Sequence, residues 1–425
     1  AALLNKCLSN VAQANEEERR LLNEFGPELA VIKGRLAIEG IEAGMDHSGH
    51  GHGGPGFSPS TMVMGKTAFV IGGIDTNSGN SSTDWANQRA VTFNYDTKLM
   101  VHTSFTGEDL LKTVVRIGNF GGTGNFGMNG AARLETAFNS SNQLNLHRSF
   151  YQFPVRNNFT ATIGARLRQD DMLGVWPSAY PSDAVLNVLS FAGANDTYAK
   201  AMGAGAGVTY SKGQWTASAL FVSEEADSSA NATNAGAGGG LLTAQGSDDV
   251  TFQTSWSDDR FLLAAAYTIA DNGNTTGTAD VNNYTAWGLS GVYNVDQDFD
   301  NQWAPTTISY GMGWKSPDKK DNPDTAANSI EDETTWTLGA IWNDAFVDGN
   351  NLGAAIGTAD GNTGVAGIQG HKDDNGYDDP LAWEIYYSMS VSDNITVTPA
   401  VFGVGRDGEE FNEISGALVK TTFSF

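Results

Sequence analysis

The chain has 425 residues, of which 17% are charged and 40% hydrophobic, with 51 glycines and a formal net charge of −25. So acidic a chain disfavours nucleic-acid binding, which rests on cationic side chains against phosphate. No run of about 18 apolar residues occurs, which argues against a transmembrane helix but not against a β-barrel, half of whose strand residues face a wet interior.

Residues 3–36 place Leu4, Leu8, Val11, Leu22, Phe25, Leu29, Ile32 and Leu36 at spacings of four and three, with Asn15 and Glu18 as polar interruptions. That spacing is the a/d seam of a coiled coil. Pro27 marks a break that starts a second helix. With no other helical segment to pack on, residues 1–42 are expected to form a coiled-coil stalk between chains, and three strands would suit a trimer. A single amphipathic helix on a neighbouring element is the plainer alternative. Ala1 begins directly in this pattern, without the basic and apolar regions of a signal peptide. Cys7 stands alone and can form no internal disulfide.

Residues 43–60 are dominated by Gly and Pro and read as a linker. His47, His50 and His52, with Asp46, are ligand types that suit Zn, Cu or Ni. Their Gly-rich backbone would first have to be ordered, so a flexible His-rich linker is the plainer reading. No other cofactor is expected.

From Thr61 to the end, period-two segments separated by turn residues predict about sixteen strands. They are 61–74, 89–105, 110–119, 143–153, 159–168, 203–211, 214–223, 247–256, 260–269, 284–294, 305–315, 333–344, 351–358, 380–391, 394–404 and 413–425. In the second, Val91, Phe93, Tyr95, Leu99, Val101 and Phe105 share a face, opposite Thr92, Asn94, Asp96, Lys98, His102 and Ser104. The last ends on Phe425, a bare apolar edge that makes sense if it closes a barrel against 61–74.

Connections alternate long (75–88, 120–142, 169–202, 224–246, 270–283, 316–332, 359–379, 405–412) and short (106–109, 154–158, 212–213, 257–259, 295–304, 345–350, 392–393). Long loops on one side and tight turns on the other are the arrangement of an outer-membrane barrel. The fold expected is therefore an all-β, 16-stranded antiparallel transmembrane barrel over 61–425. Both ends of the barrel lie on the short-turn side, which puts the N-terminal helix in the periplasm. Phe105, Phe153, Trp256, Trp303, Trp314, Trp342 and Phe425 would form the interfacial girdles.

Turning the apolar faces outward predicts a basic wall in the lumen: Lys98 and His102, then Lys112 and Arg116, then Arg166 and Arg168, with Leu167 outward. Arg148 joins them, because an arginine facing lipid at the midplane costs about 2–4 kcal/mol. Lys420 on the last strand also points inward. The connection 169–202 carries Trp176, Tyr180, Leu186, Val188, Leu189 and Phe191, too apolar to stand in solvent. It is expected to fold inward and narrow the pore, with Asp170, Asp171, Asp183 and Asp196 facing the basic wall. Such a transverse field selects ions. Packing on the barrel rim or on a neighbouring subunit is the alternative.

No Gly-x-Ser-x-Gly, His-Glu-x-x-His or phosphate-loop pattern is present, so no enzyme is expected. The Asp-rich stretch 370–379 matches a calcium loop in composition only. Residues 21–35 (Leu-Leu-Asn-Glu-Phe-Gly-Pro-Glu-Leu-Ala-Val-Ile-Lys-Gly-Arg), 103–113 (Thr-Ser-Phe-Thr-Gly-Glu-Asp-Leu-Leu-Lys-Thr) and 150–154 (Phe-Tyr-Gln-Phe-Pro) resemble the carbohydrate-selective porin family, in particular its cyanobacterial major outer-membrane porins. The resemblance implies a homotrimeric passive-diffusion porin for small hydrophilic solutes and inorganic ions, set among outer-membrane lipid and lipopolysaccharide. It also implies an N-terminal surface-layer-homology domain that grips peptidoglycan-linked polymer; none lies in these 425 residues, so a peptidoglycan contact would need that domain. No paired aromatic track for sugar stacking is visible, so a general pore is favoured over a sugar-selective one. The terminal Phe425 resembles the assembly signal of such porins.

Overall fold

The computed structural model describes residues 60–76, 90–122, 125–128, 130–181, 184–229, 239–243, 246–271, 283–295, 304–317, 332–359, 381–406 and 409–425. The expected coiled-coil stalk, the His-rich linker with His47, His50 and His52, the stretch 370–379, and Asp183 and Trp303 lie outside these residues.

Sixteen strands form one closed antiparallel barrel in which every strand pairs with its sequence neighbours. They are β1 (Thr61–Thr76), β2 (Thr92–Thr103), β3 (Leu110–Gly118), β4 (Asn145–Arg156), β5 (Phe159–Arg168), β6 (Met202–Lys212), β7 (Trp215–Ser223) and β8 (Asp248–Ser257). The second half comprises β9 (Phe261–Asp271), β10 (Tyr284–Asn294), β11 (Thr307–Pro317), β12 (Glu333–Asn343), β13 (Asn351–Thr358), β14 (Leu381–Ser392), β15 (Ile395–Arg406) and β16 (Glu409–Ser424). Closure runs from Lys66 opposite Ser424 to Thr76 opposite Ile414. It ends at Phe425, whose amide donates to the Gly65 carbonyl at 2.9 Å. Gly65 is required there: a Cβ on it would lie 2.2 Å from the Phe425 ring. The outward rings of Phe69, Phe93 and Phe423 meet edge to face beside this seam.

The alternation that builds the strands also sorts the two faces. Ile71, Phe93, Ile163, Val208, Trp287, Leu289, Leu338 and Val401 are all exposed on the outside. A soluble monomer rarely shows so continuous an apolar surface; a lipid-facing barrel requires one. Among the described residues no helix is long and apolar enough to cross a membrane.

One expected connection is corrected. The stretch 405–412 is not a long loop, because Arg406 pairs with Glu409 and only two residues join β15 to β16. Those residues are Asp407 and Gly408, a dipeptide favoured in two-residue hairpins.

Candidate pore constriction

Register assembles the basic wall. Lys66 lies opposite Lys98, Lys98 opposite Arg116, and His102 opposite Lys112. All share the parity of Ala68 and Val70, which are buried against material inside the barrel, so all sit on the inner face. Arg148 lies opposite Val114 on the same face. A bulge beside it admits His147 as an extra residue, so two successive side chains of β4 are buried.

Carboxylates meet these cations. Arg116 grips Asp96 twice, Nε to Oδ1 at 2.6 Å and Nη2 to Oδ2 at 3.0 Å. Its Nη1 lies 2.9 Å from His147 Nε2, and the other ring nitrogen of His147 touches Arg148. Arg148 Nε holds Asp171 Oδ2 at 2.6 Å. Arg168 pairs with Asp170. The row therefore ties β2, β3 and β4 to the start of the connection 169–201.

Arg166 is placed differently from expectation. It lies opposite Ser149, between the inward residues Arg148 and Phe150, and is exposed on the outer side. Leu167, expected to face lipid, is fully buried inside with Phe150, Met172 and Val222. An irregularity between Gly164 and Leu167 against β6 breaks the two-residue alternation. Asp196 also departs from expectation, since it pairs with Lys315 at 3.3 Å, on β11 rather than on the basic wall.

The described residues of the connection 169–201 run inside the barrel and lie along the wall from β6 to β16. Outbound, the Gly174 amide donates to Ser218 Oγ at 2.8 Å and the Tyr180 amide to Ser309 Oγ at 3.0 Å. The Tyr180 hydroxyl donates to Glu384 Oε1 at 2.7 Å, and the Leu186 amide to Glu384 Oε2 at 2.6 Å. Lys420 Nζ donates to the Ala184 carbonyl at 3.0 Å. On the return, Ser290, Thr335 and Thr268 hydroxyls donate to the carbonyls of Ala192, Gly193 and Thr197 at 2.7, 3.0 and 2.8 Å. So close an approach needs small wall residues. A Cβ on Gly311 would lie 1.8 Å from the Ala192 carbonyl oxygen, and one on Gly339 would lie 2.6 Å from the Tyr180 ring.

A second connection, 119–144, enters the lumen and meets the first. Leu134 bridges Leu186, and the Asn187 amide donates to the Arg133 carbonyl at 2.8 Å. Phe120, Phe126, Leu134, Leu186 and Leu189 share one apolar cluster with Val70, Phe402 and Leu418 of the wall. Glu135 projects from it toward Lys200 at 3.5 Å. The Lys200 ammonium lies 4.4 Å from the centre of the Phe191 ring and donates to Ser190 Oγ at 2.7 Å. Burial opposes ionisation of Glu135, but Lys200 and Arg168 outweigh it and hold this carboxyl below the usual range. Asp170 behaves alike, with Arg168 overriding its burial. For Tyr180, burial and the neighbouring Glu384 both push the phenol upward.

Glu135, Arg133, Lys200 and Glu384 were not singled out from sequence. The signal for the wall was present: Gly203, Gly205 and Gly207, then Gly311 and Gly313, are glycines at inward parity in strands. Glycine within a strand marks the close approach of another backbone.

No family model matches the chain. An uncharacterized protein of Nostoc sp. is 26% identical over 441 residues, spanning 96% of this chain and 72% of its own length. An uncharacterized protein of Synechocystis sp. is 23% identical over 471 residues, spanning 100% of this chain and 81% of its own. Among solved structures, the high-pH structure of Pseudomonas putida OprB matches with a TM-score of 0.57 at 11% identity, covering 86% of this chain and 94% of that one. A mutant of the Rh. blastica porin matches with a TM-score of 0.50 at 13% identity, covering 86% and 100%. The fold is thus that of porins: a closed, sixteen-stranded antiparallel barrel.

Proposed function

We propose that the protein is an outer-membrane porin, a water-filled channel for passive diffusion of small hydrophilic solutes and inorganic ions, with a weak preference for anions. The observation that carries this reading is solvent-accessible charge inside the barrel. The side chains of Lys98, Arg168 and Asp170 retain 33%, 22% and 23% of their exposure although they sit between the inner wall and the inward connections. Arg168 pairs with Asp170 and Lys98 lies 3.9 Å from Asp96, yet side chains that keep this much exposure on an inner face border space that water can fill. Lys98, Arg116, Arg133, Arg148, Arg168 and Lys200 stand against Asp96, Glu135, Asp170 and Asp171, leaving two positive charges in a chain whose net charge is −25. Such a field favours anions at the narrowest level. The porin-like fold supports outer-membrane residence; membership of the carbohydrate-selective porin family and a homotrimer rest on the resemblance carried by residues 21–35, 103–113 and 150–154.

Liposome swelling tests the reading. Reconstituted protein is expected to admit small sugars and salts at rates that fall with solute size. Swelling no faster than in protein-free liposomes would leave a second reading, a barrel plugged as an envelope tether. That reading is favoured by the apolar cluster in which the two inward connections meet.

A further inference from the structure

Across β1 and β2, Met62 lies opposite His102 and Met64 opposite Met100. All four share the inner face with Lys66 and Lys98, because Val63 and Val101 between them face outward. Directly opposed residues have Cβ atoms about 4.5–5.5 Å apart. Alternate residues along a strand are about 7 Å apart. Methionine has three rotatable bonds beyond its backbone, so three thioethers and one imidazole can converge on a point within this block. His102 is fully buried, whereas Met62, Met64 and Met100 are half-buried.

We infer that Met62, Met64, Met100 and His102 form a binding site for a soft monovalent metal ion, Cu(I), near the short-turn mouth of the barrel. Thioether and imidazole donors select Cu(I), whereas Mg and Ca take oxygen ligands, which this block lacks. The surrounding charge sharpens the choice. Lys112 lies opposite His102, and Lys98 is the next inward residue of β2 after Met100. Asp96, one further step along that face, already holds Arg116. A net basic surround disfavours a dication about twice as strongly as a monocation, since Coulomb energy scales with the charge. The site does not depend on the channel reading; it needs only the barrel and its register.

The test uses the full chain in detergent with Cys7 changed to Ser and His47, His50 and His52 changed to Ala, so that neither the lone thiol nor the linker imidazoles contribute. Cu(I) is titrated anaerobically against a chromophoric Cu(I) chelator, and the bound ion is examined by X-ray absorption. One equivalent per chain with a sulfur-dominated shell is expected. The double variant Met64→Leu, Met100→Leu nearly conserves side-chain volume and is expected to bind at least 100-fold more weakly. Should its barrel fail to assemble, Met100→Leu alone is expected to weaken binding about tenfold. Met312→Leu, on the outer face, is expected to change nothing. No stoichiometric binding, an oxygen- or nitrogen-only shell, undiminished affinity in the β1–β2 variants, or an equal loss in Met312→Leu would each overturn the proposal.

Discussion

The inner wall of the barrel has two unlike halves. From β1 to β5 it carries long basic side chains, among them Lys66, Lys98, Lys112, Arg116 and Arg148. From β6 to β13 its inward positions are mostly small, such as Gly205, Ser218, Ala266, Gly288, Gly311 and Gly339. Both halves obey the same two-residue alternation, so the contrast lies in what each inward residue leaves room for. Small residues with hydroxyl or backbone groups make a bed on which the connection 169–201 lies. On the basic side, Arg148 and Arg168 hold Asp171 and Asp170 at the start of that connection. Protein thus lies along both sides: on the basic side the connection 119–144 sets Phe138 against Arg116, while Lys98 beside it keeps a third of its exposure.

The largest expected effect comes from breaking the seam between the halves. Arg148→Ala leaves Asp171 buried without its cation, and the loss of one partner of a buried pair costs about 3–5 kcal/mol. The connection 169–201 should undock, seen as rapid hydrogen exchange over 173–190 in an intact barrel; unchanged protection would show that the small-residue bed holds it alone. Attacking the bed is expected to cost less. Gly311→Val drives a side chain into the Ala192 carbonyl at about 1–3 kcal/mol. Here single-channel conductance should fall as the return leg is pushed off the wall into the lumen, and an unaltered conductance would mean that this leg does not border the pore.

Smaller effects separate Arg168 from Arg166. Arg168→Gln should move the reversal potential in a salt gradient toward cations by several millivolts, while Arg166→Gln, on the outer side, should leave it unmoved. A shift from Arg166→Gln would contradict the register described for β5. The smallest effect is on pH. Glu135 and Asp170 are both held below the ordinary carboxylate range. A lowered folded pKa gives stabilisation that is complete above the unfolded value and lost as pH falls through the folded one. The contribution of these two carboxylates to docking should therefore be constant from pH 8 to about 5 and be lost only below about 4. Loosening between pH 7 and 5 would place its control on other groups.

Much of the fold was legible in the chain. Sixteen segments, the long and short connections and the closing role of Phe425 follow from alternation and turn residues, because a barrel strand is a local pattern. The one connection misjudged, 405–412, hid the Asp407-Gly408 hairpin signal in a run of polar residues. The site was legible only where alternation is unbroken. Lys98, His102, Lys112 and Arg116 face as their parity demands, whereas Arg166 and Leu167 do not, because a bulge leaves no mark in residue type. The apolar content of 169–202 pointed to burial but not to the bed that receives it. The meeting with 119–144 through Leu134 and Glu135 is a contact between distant segments, which periodicity does not encode.

The account turns on water and ions passing beside the basic half. Reversal potentials of the reconstituted wild-type protein in planar bilayers under a tenfold KCl gradient test this most directly. Ohmic current steps with a reversal potential displaced toward that of chloride are predicted. A displacement toward potassium, or a bilayer without steps, would contradict it.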